Sequence, residues 1–530
     1  MATMMPRPTP LAPAGRYLFK RKRSRPFSST SQCLDNGERS RPFSSTSQCL
    51  DNGEDNGIVE GVFLFHRHGD RAPARRLVPD AYAEEEMRFW EERVPKGASL
   101  YDSLSDLFPT DIHFSNNDGK FFDTRRAPSG FLTWKGMEQM RLVGRESALR
   151  YSRLGHQATD ETNDMNFTTG RELLKHWDIQ AFSTCYLRTV KSVQCFLHGL
   201  LGKNQISYEE YQGCDGKAQS LRNEIAMEAA RERPVNPNDL ISVYVRDRSI
   251  DTLNAFDRNP DLMRDLVSEV VNTAHFQKYD ALAKPLASKL SDLLPGLLAP
   301  GQKLFGGPSG INWIHAADHF ICRRSHGLPY SKFCSDQTNE DRRIEEALAS
   351  MHWPVIQHLA WRFRQWYKSP PLLAAIAAPP LREIEGQIRR TVEGDAGECR
   401  APMVIYSCHD VTILSLLYGL GAEFLEDDNN SEWKSFWPSY ASTLVIELVR
   451  VKEGRGDIDD THKLRILMNG KQVRIVALRN KSEKDQVLRL SDFTAIIDEL
   501  EEAGGWGENG RLADDPACSS VKRDMSGWTG

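Results

Sequence analysis

The chain has no apolar run near the roughly 20 residues needed to span a bilayer, so no transmembrane helix is expected. It lacks a domain-wide excess of positive charge: with a formal net charge of -5 and 27% charged residues, a nucleic-acid partner is not expected. Its 10 cysteines are scattered and none falls in a CxxC pair, which argues against a zinc ribbon or a thioredoxin-type redox site. A chain of 530 residues does not need disulfides to fold, and mostly buried free thiols are expected. That length suits two or three ordinary domains, or one large α/β domain with an insertion.

A more local absence marks the start. Residues 1–34 contain no Asp or Glu, while Arg7, Arg16, Lys20, Arg21, Lys22, Arg23 and Arg25 accumulate ahead of Ser28, Ser29, Thr30 and Ser31. Basic, serine-rich and acid-free is the composition of an organellar transit peptide, and Arg16 interrupts the apolar core that a secretory signal would need. "RPFSS" at residues 25–29 resembles a mitochondrial presequence cleavage site, so a mitochondrial location is expected, with the cytoplasm or another organelle as the alternative. "KRKRSRP" also fits a nuclear import or anion-binding tract. The block "RSRPFSSTSQCLDNGE" occurs unchanged at residues 23–38 and 39–54; two polar copies without periodicity do not make a solenoid. Residues 1–57 are therefore expected to be a disordered leader with a tandem duplication, and 501–530 a C-terminal tail.

What is present begins at "IVEGVFLF", residues 58–65, a near-continuous apolar run that predicts a strand buried on both faces of a parallel sheet. Residues 403–406 predict a second, followed by a polar loop and a helix carrying Ile413, Leu414, Leu416 and Leu417 that stops at Gly419 and Gly421. Residues 132–151 place Met137, Met140, Gly144, Ala148 and Tyr151 on one helical face with Thr133 as N-cap, and Leu187, Val190, Gln194 and Leu197 mark another helix ending at Gly199. "LRILMNGKQVRIV" predicts a hairpin turning at Asn469-Gly470. The fold class expected is α/β: a mostly parallel sheet flanked by helices, formed by residues 58–200 and 400–500, with residues 201–399 as a mainly helical cap insertion.

Both strand-to-loop transitions carry histidine at the sheet edge where ligands bind in open α/β folds. In "FLFHRHGDRAP", residues 63–73, Arg67 and Arg71 bracket His68 and can offer forked donors to phosphoryl oxygens. Their charge also opposes protonation of His68, by up to about 4 kcal/mol each at ~4 Å and an effective dielectric near ~20. A neutral imidazole can attack phosphorus and split transfer into two steps. Asp410 in the distal loop would then protonate the leaving alkoxide, and His409 would donate to phosphoryl oxygens. His66 is expected to be a packing residue. "HAADHF", residues 315–320, lacks the Glu of HExxH, so His315 and His319 are expected to be ordinary helical histidines and no metal site is expected.

At these positions the sequence resembles the histidine acid phosphatase family, clade two of the histidine phosphatase superfamily. RHGxRxP stands as Arg67-His68-Gly69-Asp70-Arg71-Ala72-Pro73, and the distal HD as His409-Asp410 followed by Thr412. An S-T-x-x-x-R-T-x-x-S context matches Ser183-Thr184, Arg188-Thr189 and Ser192; LTxxGxxQ matches Leu132, Thr133, Gly136 and Gln139; P-x-Y-A-S matches residues 438–442. The resemblance covers roughly residues 58–500. It implies a phosphoglycerate mutase-like α/β core with a helical cap, a phosphohistidine at His68, Asp410 as proton donor, a phosphate pocket of Arg67, Arg71, Arg188 and His409, and no metal or other cofactor. "QVLRLSDF" lacks the cysteine that often precedes this segment in secreted members, which fits an intracellular site.

The expected function is thus metal-independent phosphomonoester hydrolysis, on a phosphorylated small molecule or, given the leader, a lysophosphatidic acid-like lipid. A phytase-like or broad acid phosphatase is the alternative. The related mutases pair their histidine with a glutamate elsewhere, against which the adjacent His409-Asp410 speaks. A non-catalytic phosphate-binding module would be expected to have lost the nucleophile or the donor.

Overall fold

The computed structural model describes residues 57–95, 110–114, 127–154, 173–201, 241–298, 307–331, 338–394, 400–425, 436–451, 457–476 and 487–505. The leader up to residue 56, the tail beyond 505, and Cys33, Cys49, Cys214, Cys334, Cys399 and Cys518 lie outside the described residues.

The first half of the chain forms β1 (Gly57–Arg67), α1 (Ala83–Arg93), β2 (Thr110–Phe114), α2 (Trp134–Leu154), β3 (Trp177–Ser183), α3 (Leu187–Leu201) and β4 (Ile241–Val245). A helical run follows: α4 (Pro260–Val271), α5 (Ala274–Ala281), α6 (Lys284–Leu293), α7 (Trp313–Ser325), α8 (Asn339–Tyr367) and α9 (Pro370–Glu393). The chain then returns through β5 (Ala401–Cys408), α10 (Asp410–Gly419), β6 (Thr443–Val451), β7 (His462–Met468), β8 (Lys471–Gln472), β9 (Leu488–Arg489) and α11 (Leu490–Gly504).

The strands among the described residues join one sheet in the order β2-β4-β3-β5-β1-β6-β7-β8, with β9 on β7. From β2 to β1 every pairing is parallel, and from β1 to β8 every pairing is antiparallel. The expected α/β class, a mostly parallel sheet flanked by helices, is the one observed.

β1 shows why. Its side chains alternate between faces, and the run is apolar on both. Val62 and Leu64 enter a core with Met137 and Met140 of α2 and Phe196 of α3. Phe63 and Phe65 enter the opposite core with Phe363 of α8, Ile384 of α9 and Leu417 of α10. Burial of each such side chain contributes about 1.5–3 kcal/mol, so the strand is stable only with helices on both sides. Thr133 caps α2 by accepting the Gly136 N–H at 3.1 Å. The hairpin turns at Asn469 and Gly470, whose φ values of 49° and 77° are those a type I′ turn requires.

Four strands, β2, β3, β4 and β9, were not legible in the sequence. β4 lies inside the interval 201–399 that reads as mainly helical, so that interval also supplies a strand to the central sheet; β2 lies between β1 and α2, where no element was expected. At five residues each, both are too short for periodicity to separate strand from helix. The described cysteines Cys185, Cys195, Cys322 and Cys408 are free and buried. No helix among the described residues is long and apolar enough to cross a membrane.

Candidate active site

Strand register brings the two motif loops together. β1 and β5 end level, with Arg67 opposite Cys408, and β3 ends beside them with Ser183 opposite Ser407. The His68 N–H donates to the Cys408 carbonyl at 3.1 Å and the Thr184 N–H to the Ser407 carbonyl at 3.2 Å. His68, His409 and Thr184 therefore emerge side by side at the carboxyl edge of the parallel strands. The rings of His68 and His409 are 5.7 Å apart, and Arg67, Arg71 and Arg188 all act electrostatically on both.

His68 Nδ1 lies 2.8 Å from the Gly69 carbonyl, which can only accept. The proton is thereby assigned to Nδ1, and the lone pair to Nε2. Burial holds the ring well below the usual histidine pKa, and the charges of Arg188, Arg67, Arg71 and His409 add to it in that order. The flanking arginines are thus not the leading cause: desolvation is, and the strongest charge comes from Arg188 on α3. His66 is also buried, stacked on Phe196 at 5.4 Å, and burial lowers its pKa to about 4.

The three arginines share one feature. Arg67 donates through Nη1 to the Pro438 carbonyl at 2.5 Å, pairs through Nη2 with Asp410 at 2.8 Å, and lies over the Tyr440 ring at 4.3 Å. Arg71 pairs with Asp318, Nη2 to Oδ1 at 2.8 Å. Arg188 lies 4.3 Å over the Tyr186 ring, and burial, with the charge of Arg71, lowers its pKa to about 10. In each of the three the Nε–H is buried without a hydrogen-bond partner. An unmet buried donor costs about 1–3 kcal/mol. Three such donors around two neutral histidines are what an oxyanion with several acceptors satisfies.

His409 corrects one expectation. Thr184 Oγ1 gives its proton to Thr189 Oγ1 at 2.9 Å, so it accepts from His409 Nε2 at 3.1 Å. His409 Nδ1 is then left to accept from Arg188 Nη2 at 3.4 Å. Donation from Nδ1 to a phosphoryl oxygen requires a second proton on this ring. Asp410, first residue of α10, accepts from Arg67 and from Trp437 Nε1 at 3.0 Å through Oδ2, and its side chain is 21% exposed.

Gly69 is glycine for a reason different from the close approach to phosphate that its place in the loop suggests. Its N–H donates to Ser192 Oγ at 3.1 Å, and a Cβ on it would run into the Gly136 carbonyl at the start of α2. A Cβ on Gly136 would in turn strike the Asp70 carbonyl. Asp70, fully buried, accepts from Thr133 Oγ1 and His326 Nε2, both at 2.6 Å, and from the Ser325 hydroxyl. Its N–H donates to Gln139 at 2.8 Å. The loop is thus anchored to α2 and to the end of α7.

Asp318, Ser325, His326 and Trp437 escaped the sequence reading. Asp318 lies within "HAADHF", where the histidines drew notice and the acid did not. His319 is an ordinary core histidine, its Nε2 2.8 Å from the Tyr330 carbonyl. Among the described residues, no group of three or more His, Cys, Asp or Glu is arranged to hold a metal ion.

The family model of the histidine phosphatase superfamily (branch 2) matches residues 58–469. Among solved structures, the chain is similar to the phytase from Citrobacter braakii, at 14% identity over 84% of this chain and 98% of that one, with a TM-score of 0.41. It is also similar to the Hafnia alvei phytase in complex with myo-inositol hexakis sulphate, at 13% identity over 85% and 99%, TM-score 0.44. A third is the Bifidobacterium longum multiple inositol polyphosphate phosphatase in complex with phosphate, at 11% over 86% and 96%, TM-score 0.45. No curated protein matches. With the family match extending over most of the described fold and over both motif loops, the chain belongs to branch 2 of the histidine phosphatase superfamily, the histidine acid phosphatases, and is a phosphoric monoester hydrolase.

Proposed function

We propose that the chain hydrolyses phosphomonoesters without a metal ion, through a covalent phosphohistidine at His68. The observation that carries this is the set of three unpartnered Nε–H donors, on Arg67, Arg71 and Arg188, around a histidine kept neutral with its lone pair on Nε2. Nε2 attacks phosphorus as the ester P–O bond breaks, and the arginines take up charge on the equatorial oxygens. The phosphoryl group competes with Asp410 for Arg67; the carboxylate displaced from that pair takes a proton from solvent and, as the carboxylic acid, gives it to the departing alkoxide. In the second step Asp410, now a carboxylate, takes a proton from water while the water oxygen attacks phosphorus. Inorganic phosphate leaves and Nε2 is restored. The dianion beside His409 favours a second proton on that ring, which turns Nδ1 into a donor.

For the substrate, a lysophosphatidic acid-like lipid is supported by the acid-free basic leader and the mitochondrial location it suggests; a phytase-like or broad acid phosphatase is the alternative. The test is hydrolysis of an aryl phosphate in the presence of a chelator, followed by a panel of lipid, inositol, sugar and peptide phosphates. Activity persists with chelator, His68→Ala abolishes it and His66→Ala leaves a measurable fraction. A requirement for added metal, or equal loss in both variants with the fold intact, overturns the mechanism; comparable rates across the panel overturn the lipid assignment.

A further inference from the structure

Helix α7 meets the loop after β1 at Asp318 and again at its end, and between them meets Tyr440, just before β6. Asp318 grips Arg71 with both oxygens, Nη2 to Oδ1 at 2.8 Å and Nη1 to Oδ2 at 3.1 Å, and its Oδ2 also accepts the Ala74 N–H at 2.8 Å. One turn on, Cys322 Sγ is 3.1 Å from the hydroxyl of Tyr440, the ring beneath Arg67. At the helix end Ser325 and His326 hold Asp70. An acid so close to an anion pocket would repel a phosphoryl dianion, so its presence there needs an account.

A guanidinium has two kinds of edge that can fork onto an oxyanion: the end, carrying both Nη groups, and the side, carrying Nε and one Nη. Asp318 occupies the end of Arg71. What is left is the side edge, whose Nε–H is buried and unpartnered. We infer that Asp318 is a positioning residue, fixing Arg71 so that its Nε side edge meets the phosphoryl group and holds phosphorus within reach of His68. The pair is nearly buried, with side chains 13% and 8% exposed, so water does little to weaken it or to offer Arg71 other orientations.

This rests on the function proposed above. The experiment compares the full chain with Asp318→Asn, Asp318→Glu, Arg71→Ala and the Asp318→Asn/Arg71→Ala double variant, reading KM and kcat on an aryl phosphate and competitive inhibition by inorganic phosphate. Asp318→Asn is expected to raise both KM and the phosphate inhibition constant roughly tenfold or more, with a smaller change in kcat. Asp318→Glu should recover part of the loss. The double variant should be no worse than Arg71→Ala, because an acid that acts through Arg71 has nothing left to orient. Losses that multiply in the double variant, or a lowered melting temperature with KM and phosphate inhibition unchanged, overturn the inference. If Asp318→Asn does not fold, Asp318→Ala/Arg71→Ala, which removes both members of the pair, is compared with Arg71→Ala: equal KM and phosphate inhibition are expected, and a further rise in either overturns the inference. An inactive parent chain would overturn the proposed function instead, and calorimetric titration of the same variants with inorganic phosphate would still decide the role of Asp318.

Discussion

Two aspartates stand at the same edge of one sheet, and their surroundings divide them. Asp70, after β1, is fully buried, and its oxygens take donors from Thr133, Ser325 and His326. Burial raises the pKa of such a carboxyl, yet these partners hold it below the ordinary value, so it stays an anion and an anchor. Asp410, after β5, is partly exposed and shares Oδ2 between Arg67 and Trp437. An anchored carboxylate is committed to several fixed partners at once; one held by a displaceable partner can exchange it for a substrate. Nearness to His68 therefore does not by itself suit an acid to proton transfer.

The contrast breaks most readily at Asp410. Asp410→Asn is expected to lower kcat on an alkyl phosphate by roughly 10²–10⁴-fold with little change in melting temperature, and by less on an aryl phosphate whose leaving group needs no proton. Equal loss on both esters would remove Asp410 from the donor role. At Asp70 the order reverses: Asp70→Asn should cost about 1–3 kcal/mol of unfolding free energy in urea, while kcat in the folded fraction falls less than about tenfold. A larger effect on kcat than on stability would make the anchor a participant. The smallest effect is on pH. His66 and His198 are both lowered to about 4 by burial, so the fold favours their neutral forms. Their contribution is fully present above the unfolded value near ~6.5 and is lost as pH falls through about 4. Urea midpoints should decline over that window, and His66→Phe should flatten part of the decline; an unchanged slope would place the acid sensitivity elsewhere.

What the sequence revealed depended on distance along the chain. Arg67, His68 and Arg71 are neighbours in one strand-end loop and His409 and Asp410 in another, so the chemistry of each loop is readable as a unit; Arg188 is readable only through resemblance to a family. Asp318 lies 247 positions from Arg71, and nothing in a single helical Asp says that it faces a particular guanidinium. Two adjacent charges predict a neutral His68, but the larger cause is burial, which only packing reveals. β1 and β5 stand out because they are apolar on both faces, whereas β3 is interrupted by Asp178 and Gln180 and β4 alternates buried and half-buried positions over only five residues.

Gly69 and Gly136 carry a consequence for how this edge can diverge. A methyl group on Gly69 is stopped by the peptide of Gly136, and one on Gly136 by the peptide of Asp70. Neither obstacle is a side chain, so no exchange at one position makes room at the other. A contact of this kind leaves no trail of compensating substitutions among descendants: each glycine is held singly, and a comparison built on correlated change would pass over the interlock that seats the loop carrying His68.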